Sequence, residues 1–594
     1  MLILHEVPPP KVHVGNAIAA SLAGPFAKRI KNIPLTPEAI AAKPPSTNYV
    51  TPKERLFLPI HGQRLTVDDD FSYFVASHPF KNLITKPDTE YITTSELTEI
   101  LRKVKFELAC YDTGAMPAST NPSSSYSKFA WTRDMANKTM SMIEAGCINE
   151  AKRIVYGMAS FYNLPENREL IKKYVANKSS AKIAYRLGHY GHVPIRAQIS
   201  SNGEMVNSNH PWAHNQLDAI GAWLYVTFYL ANTLSDNSHQ NHDQDFLKNL
   251  DHHLSTVNGD NSNESIFSLT FSMLHNIECW DNYDVGPWED VYAHKRASSV
   301  GICLAAAKQA KQHLQVNNWN NIRISDTERF KHELQNLMHH SGLAIEDRIP
   351  RDGIRNAVEC DEFKSDAALT FLLYPYNPGL DYSQELAILR TIYGHRLGTA
   401  GITRRDKDIY VGADYPYNID GQGIYANEYV QDYKAAQWAI FDPLLACFFF
   451  KKFATNLKNG FMDSESFKLG QVHLKRSLSQ VTKNSDVYLK RYYLKDPIDY
   501  KQLERESHEC IYEELVKVSQ FSCPEAYWYD NHFIDPNTHR KGKWRPNENS
   551  PLLWTEANFA LMIKEAMIAT HLMEEYIKTT DKNPLDTVPA HILN

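Results

Sequence analysis

Long apolar runs of helical spacing, separated by polar loops, constrain this chain more than any other feature. Leu97, Ile100, Leu101, Val104 and Leu108 fall on one helical face. Ala222 to Leu234 and Tyr429 to Phe453 are strongly apolar, the second carrying Trp438 and Phe448-Phe449-Phe450. Ala297 to Ala307 reads as a buried helix of small residues. Further helices are expected over 294–316, 326–341, 465–482 and 501–518, from Asp361, over Leu386 to Tyr393, and from Trp554 to about Ile577. Residues 236–264, rich in His, Asn and Asp, read as an exposed loop. Convincing strand alternation is scarce. The expected fold class is all-α: a ring of helices, an α/α toroid, with its polar motifs on the loops at a working end.

Residues 1–92 are rich in proline and poor in periodicity, with Pro8-Pro9-Pro10 and Pro44-Pro45. They read as an N-terminal extension that covers something else, with one short hairpin. Residues 93–580 form the helical domain and residues 581–594 a C-terminal tail. Of the 594 residues, 63 are Lys or Arg and 69 are Asp or Glu, a net charge of −6, which argues against a nucleic-acid partner. No run approaches the ~20 apolar residues of a membrane span, and no signal peptide is evident. The eight cysteines form no Cys-x-x-Cys pair, which favours a reducing, cytoplasmic home; export without a classical signal is the alternative.

The chemistry gathers in a few loops. Glu289 follows Gly286-Pro287-Trp288 at a helix entrance. An indole beside a carboxyl penalises the ionised form and keeps a proton available, which suits a general acid; a surface acid beside a packed Trp is the bland reading. Arg133-Asp134, after Trp131-Thr132, is either a salt bridge at a helix start or a fork for neighbouring sugar hydroxyls. Trp212, Gln216 and Asp218 stand at the next helix entrance, where ordinary capping is the plain alternative. His210 and His214 have helical spacing, but nothing completes a metal-ligand set; neither a metal nor a cofactor is expected. Glu548 lies in a loop before a helix, as Glu289 does.

The order of these motifs resembles glycoside hydrolase family 15, the glucoamylases. The motifs are Gly114-x-Met116-Pro117-Ala118-Ser119, Trp131-Thr132-Arg133-Asp134, Trp212-x-x-x-Gln216-x-Asp218, Trp288-Glu289, Pro524-Glu525 and Glu548-x-x-Pro551-Leu552-x-Trp554. Other stretches, Ala297-Ser298-Ser299-Val300-Gly301 and Cys523-Pro524-Glu525, resemble the helical domain of phosphorylase kinase α and β subunits. The resemblance implies an (α/α)6 barrel that removes glucose from the non-reducing ends of α-glucans with inversion. Glu289 would then be the general acid and Glu548 the base. Arg133 and Asp134 would hold the terminal glucose, and Trp212, Gln216, Asp218 and Trp288 would line the cleft. Arg405 and Glu525 are further candidate sugar contacts. Asp290 departs from the Glu common after the Trp-Glu pair in fungal members. No starch-binding module is visible, which favours glycogen or maltooligosaccharides as partner. A non-hydrolytic glucan-binding or regulatory relative, and a trehalase or isomaltose-type specificity, are the competing readings.

Overall fold

The computed structural model describes residues 12–42, 69–405, 408, 435–483, 487–494, 511–534, 539 and 541–585, apart from short gaps at 88, 107–108, 123, 210–211, 237–244, 258–262, 291 and 548. Helices alternate between an inner and an outer ring. The inner elements are α2 (Thr132–Ala145), α4 (Leu217–Asp236), α6 (Ala297–Val316), a 3-10 segment (Ala367–Leu372), α9 (Phe441–Lys458) and α11 (Leu553–Thr580). Each packs on the next, and α11 packs back on α2, so the ring closes. The outer elements are α1 (Thr94–Lys103), α3 (Ile148–Tyr162), α5 (Ile266–Asn276), α7 (Thr327–Arg348), α8 (Tyr382–His395) and α10 (Ser464–Ser479). Six inner and six outer elements, with the additional helices Pro165–Ala176, Lys178–Arg186 and Phe246–Val257 between them, make an (α/α)6 barrel.

Burial differs from helix to helix. The outer helix α1 buries only Leu97, Ile100 and Leu101, an amphipathic stripe, whereas the outer α5 is buried along its whole length. Inner α2 buries nearly every residue, including Asn137 and Lys138. The small residues noted in α6 have a packing reason. A Cβ on Gly221 of α4 would lie 3.0 Å from the backbone nitrogen of Cys303, so glycine is what lets these two inner helices meet. Glu144 of α2 accepts from Tyr229 of α4 and, at 2.5 Å, from Lys564 of α11, which links three inner helices. Between the rings, Tyr162 of α3 stacks on Trp223 of α4 at 4.1 Å.

Every inner element starts at one end of the ring. That end carries Arg133-Asp134, Asp218, Asp366, Asp442 and Glu556 in or beside first turns, where helix dipoles favour carboxylates. The N-terminal residues take the opposite end. Helix Ala27–Lys31 packs on α11, Pro37–Ile40 packs on α9 and α11, and Ser21 donates to the carbonyl of Ala145 at the end of α2. The described part of this stretch holds short helices and one strand, Val12–His13, paired with Ala109–Cys110; residues 1–11 and 43–68, where the expected hairpin could fall, lie outside the described residues.

Several sequence readings need correction. Within the supposed loop 236–264 lies a helix, Phe246–Val257, whose buried Leu247, Leu250 and Leu254 keep helical spacing under a polar composition. The expected helix over 501–518 ends in a strand, Ile511–Val518, paired antiparallel with Val487–Leu494; residues 501–510 lie outside the described part. A short apolar run fits either period until its partner is known. Two three-stranded sheets also edge the mouth: Phe129–Trp131, Arg196–Ile199 and Met205–Asn207, and Lys541–Pro546, Ala526–Ile534 and Gln437–Trp438. The helix placed over Tyr429 to Phe453 begins only at Phe441, and the one begun at Asp361 is the 3-10 segment.

One buried charge cluster ties α9 to α10. His473 Nδ1 and Arg476 Nε both lie 2.7 Å from Asp442 Oδ1, and Arg476 also donates to the carbonyls of Gly398 and Gly401. Asp442→Ala leaves Arg476 without its counter-charge and is expected to cost about 3–5 kcal/mol. Urea unfolding measures it; a loss below about 1 kcal/mol would show that the cluster does not hold the ring.

Candidate active site

The turn that carries Glu289 is built from residues that cannot easily be exchanged. Gly286 has φ +62°, and a Cβ there would sit 2.4 Å from Cδ of Arg296. Trp288 is anchored on two inner elements: its indole N–H donates to Asp366 at 2.8 Å and its ring meets Phe441 edge-on. Glu289 itself has φ +57°. That conformation costs a non-glycine residue roughly 1–2 kcal/mol and persists only where the surroundings impose it.

The surroundings are three N–H donors on one oxygen. Trp131 Nε1 at 3.1 Å, Trp212 Nε1 at 3.1 Å and Gln216 Nε2 at 3.2 Å all point at Glu289 Oε1. Oε2 accepts from no described residue. Burial raises the Glu289 pKa above the ordinary carboxyl range, and this outweighs the nearby Arg133 charge and the donors, which act in the other direction. A protonated Glu289 can take three donors on Oε1 as its carbonyl oxygen and carry the proton on Oε2.

Arg133 does not pair with its neighbour Asp134. Its Nε donates to Asp218 Oδ2 at 2.6 Å and its Nη2 to Gln216 Oε1, and its guanidinium lies 5.6 Å from the Trp554 ring centre. Gln216 is thereby oriented, carbonyl to Arg133 and amide to Glu289. Asp134 is buried and hydrogen-bonds no described side chain; burial raises its pKa, against the pull of Lys138 and Arg133. Lys138, one turn below, is fully buried, donates to the Pro117 carbonyl at 2.9 Å, and is pushed down to about 7 by burial.

Arg405 is brought to the site, but its Nη1 is engaged with Asp290, which also accepts from Arg296 Nη2 at 2.6 Å. The residue after the acid thus clamps the turn to two arginines. Asp284 was not singled out in the sequence. It accepts from the backbone of Leu217 and from Ser299, joining the starts of α4 and α6, and burial pushes it up to about 7. Glu359 does the same at Ser298 and Asp366 at Trp288. No motif marks these acids; their place before an inner helix is the signal that could have found them.

Glu548 lies outside the described residues, but both its neighbours are described. Asn547 Nδ2 and Asn549 Nδ2 each donate to Glu525 Oε2 at 2.7 Å. Glu525 is buried, and its backbone bonds Asn549 and Ala439. Asn549 accepts from Ser124, and Tyr126, two residues on, packs on Trp131, a donor to Glu289. The two loops therefore share one mouth.

His214 is half-buried, pushed down to about 4 by burial, and its Nδ1 faces the amide of Ile195 at 3.4 Å; His210 lies outside the described residues. Among the described residues no group of three or more His, Cys, Asp or Glu could hold a metal. The seven described cysteines are free and buried. No helix among the described residues is long and apolar enough to cross a membrane.

The ring carries a buried carboxyl, Glu289, at the end where its inner elements start. Residues 97–338 match the family model for glycosyl hydrolases family 15, and the chain is similar to that family over this stretch. Among solved structures it is similar to a glycosidase variant in complex with glucose, at 15% identity and TM-score 0.46, covering 85% of this chain and 100% of that one. It is also similar to the glucoamylase of Saccharomycopsis fibuligera, at 11% and 0.42, covering 81% and 98%. Hormoconis resinae glucoamylase gives 11% and 0.42, covering 84% and 73%. A comparison with curated proteins finds no match.

The raised pKa of Glu289 has a cost in stability. A carboxyl whose folded pKa lies above its unfolded one weakens the fold once pH rises past the unfolded value, and costs nothing below it. Glu289→Gln is therefore expected to raise Tm at pH 7 and 8, with the gain vanishing toward pH 3. Equal Tm of the two forms across that range would remove the burial argument.

Proposed function

We propose that this chain is a glucoamylase-type, inverting glycoside hydrolase that releases glucose from the non-reducing ends of α-1,4-glucans such as glycogen or maltooligosaccharides. The observation that carries the proposal is Glu289: one oxygen held by three neutral donors, the other open, and the proton retained by burial. Oε2 gives its proton to the glycosidic oxygen as the bond to the anomeric carbon breaks. A carboxylate on the opposite ring face takes a proton from the attacking water, at a separation of ~6.5–9.5 Å from the acid. Asp134 accepts from hydroxyls of the terminal glucose, and Arg133, with two nitrogens engaged on Asp218 and Gln216, offers Nη1. Trp212 and Trp288 give the cleft its aromatic wall.

The base comes from the 523–552 loop. Glu548 is its sequence candidate. Glu525 is a second candidate, because two amide donors on Oε2 favour the ionised form a base needs. Azide can replace a missing base and attack the anomeric carbon. Glu548→Ala rescued by azide, with Glu525→Ala not rescued, assigns the role to Glu548; the converse result assigns it to Glu525.

Incubation with maltotetraose and glycogen, followed by proton NMR, tests the reaction. β-Glucose as the first product is expected. α-Glucose would exclude inversion, and no glucose would leave the non-hydrolytic reading. Turnover of trehalose or isomaltose above that of maltotetraose would move the specificity. Glu289→Gln is expected to lower kcat by about 10²–10⁴.

The pH profile should follow the clamp. Activity falls as pH rises through the pKa of Glu289, since the acid form works. Trp212→Phe removes a donor that favours the charged form, so the alkaline limb is expected to move upward. A downward shift would contradict the assignment.

A further inference from the structure

A cavity of about 700 Å³ opens on the end of the ring away from Glu289. It is bounded by the start of α8, the second half of α9 and the residues leading into α10. Along α9 it runs from Phe448 to Asn456, and Phe441 marks the mouth. At 1.5 Å of rise per residue, these positions lie roughly 10–23 Å below the mouth. None of its residues serves the proposed hydrolysis.

Its chemistry is mixed. Tyr382 and Phe461 stand at the rim, each 46% exposed, whereas most large rings of the described chain are buried. Lys452 lies 4.4 Å from the Tyr382 ring centre and 2.6 Å from Glu385. Charges of both signs are present: Lys451 and Lys452 against Glu385, Asp463 and Glu465. Asp463 is engaged as the cap of α10, accepting from Ser466 and Asn456. Such balance gives no single-sign field for a phosphate or other strongly charged ligand. A wholly apolar ligand would strand the polar wall. Two donors have no hydrogen-bond acceptor among the described residues: Asn377 Nδ2, whose Oδ1 caps Gly379 and Leu380, and Lys451 Nζ, 5.6 Å from the Tyr374 ring centre.

A neutral, polyhydroxylated chain meets both conditions. The C–H faces of its rings lie on Tyr382 and Phe461, and its hydroxyls accept from Lys451 and Asn377. The volume falls within the range of small-ligand clefts, roughly 300–1,000 Å³. We propose that this cavity is a second, non-catalytic saccharide site that holds one chain of a branched or long glucan while another chain end enters the mouth. The choice of glucan as ligand rests on the proposed function; the cavity and its open rings do not.

The test uses electrophoresis in gels containing glycogen, with every protein also carrying Glu289→Gln so that the glycogen survives. The double variant Tyr382→Ala/Phe461→Ala, and separately Thr455→Trp at an exposed position that would fill the cavity, are expected to weaken retention at least fivefold. In the Glu289 background, both should keep kcat/KM on maltotriose and lose it on glycogen. Unchanged retention and unchanged glycogen turnover in both variants would overturn the site. Maltotriose hydrolysis without a retention effect removes the second site and keeps the hydrolase. Loss of retention in a chain that hydrolyses no glucan does the reverse.

Discussion

The clamp on Glu289 Oε1 is the interaction on which the rest of the site depends. Two indoles and one amide hold the oxygen, and none carries a charge. A guanidinium in the same place would fix the carboxyl equally well but would draw it down to its ionised form. A unit charge ~4 Å away is worth about 4 kcal/mol at an effective dielectric of 20. Arg133 is close enough to be felt, and the structure diverts it: its Nε faces Asp218, and Gln216 stands between it and the acid. Orientation and protonation are thus supplied by different groups. Asp218, fully buried, bears on the Glu289 environment through Arg133.

The ring makes that separation possible. α2 delivers Arg133 and follows Trp131; the entrance of α4 delivers Gln216 and Asp218; the turn before α6 delivers Glu289. Three consecutive inner helices converge because their starts lie at the same end. Asp284 and Glu359 hold the first turns of α4 and α6 from below, so a residue with φ +57° can be imposed between them. The positive backbone angle at Glu289 is where stability has been traded for geometry.

Much of this was legible in the residues. The helical period marks the inner runs, and Trp-Glu after Gly-Pro marks the turn that carries Glu289, because adjacent residues build it. Spacing such as Trp212-x-x-x-Gln216-x-Asp218 survives in sequence since one helix entrance carries all three. Pairings across the ring do not. Nothing in Pro524-Glu525 says that its carboxyl will take the amides of Asn547 and Asn549, and Arg405 looks available until Asp290 is found against it. The strand Ile511–Val518 was read as helix because its apolar residues satisfy both periods; its partner is some twenty residues away. Helix Phe246–Val257 is masked in the sequence by Lys248, Asn249, His252 and His253 on its exposed face.

The far end of the ring is tied together by charge. Glu144 of α2 takes a hydroxyl from α4 and an ammonium from α11, and Lys564 also reaches Glu565 at 2.8 Å. Ser21 and the short helices after it pack on the same end, at α2, α9 and α11. The starts of the inner elements, where Glu289 stands, are left to the loops alone, so those loops can differ in length and sequence without loosening the joints that close the ring.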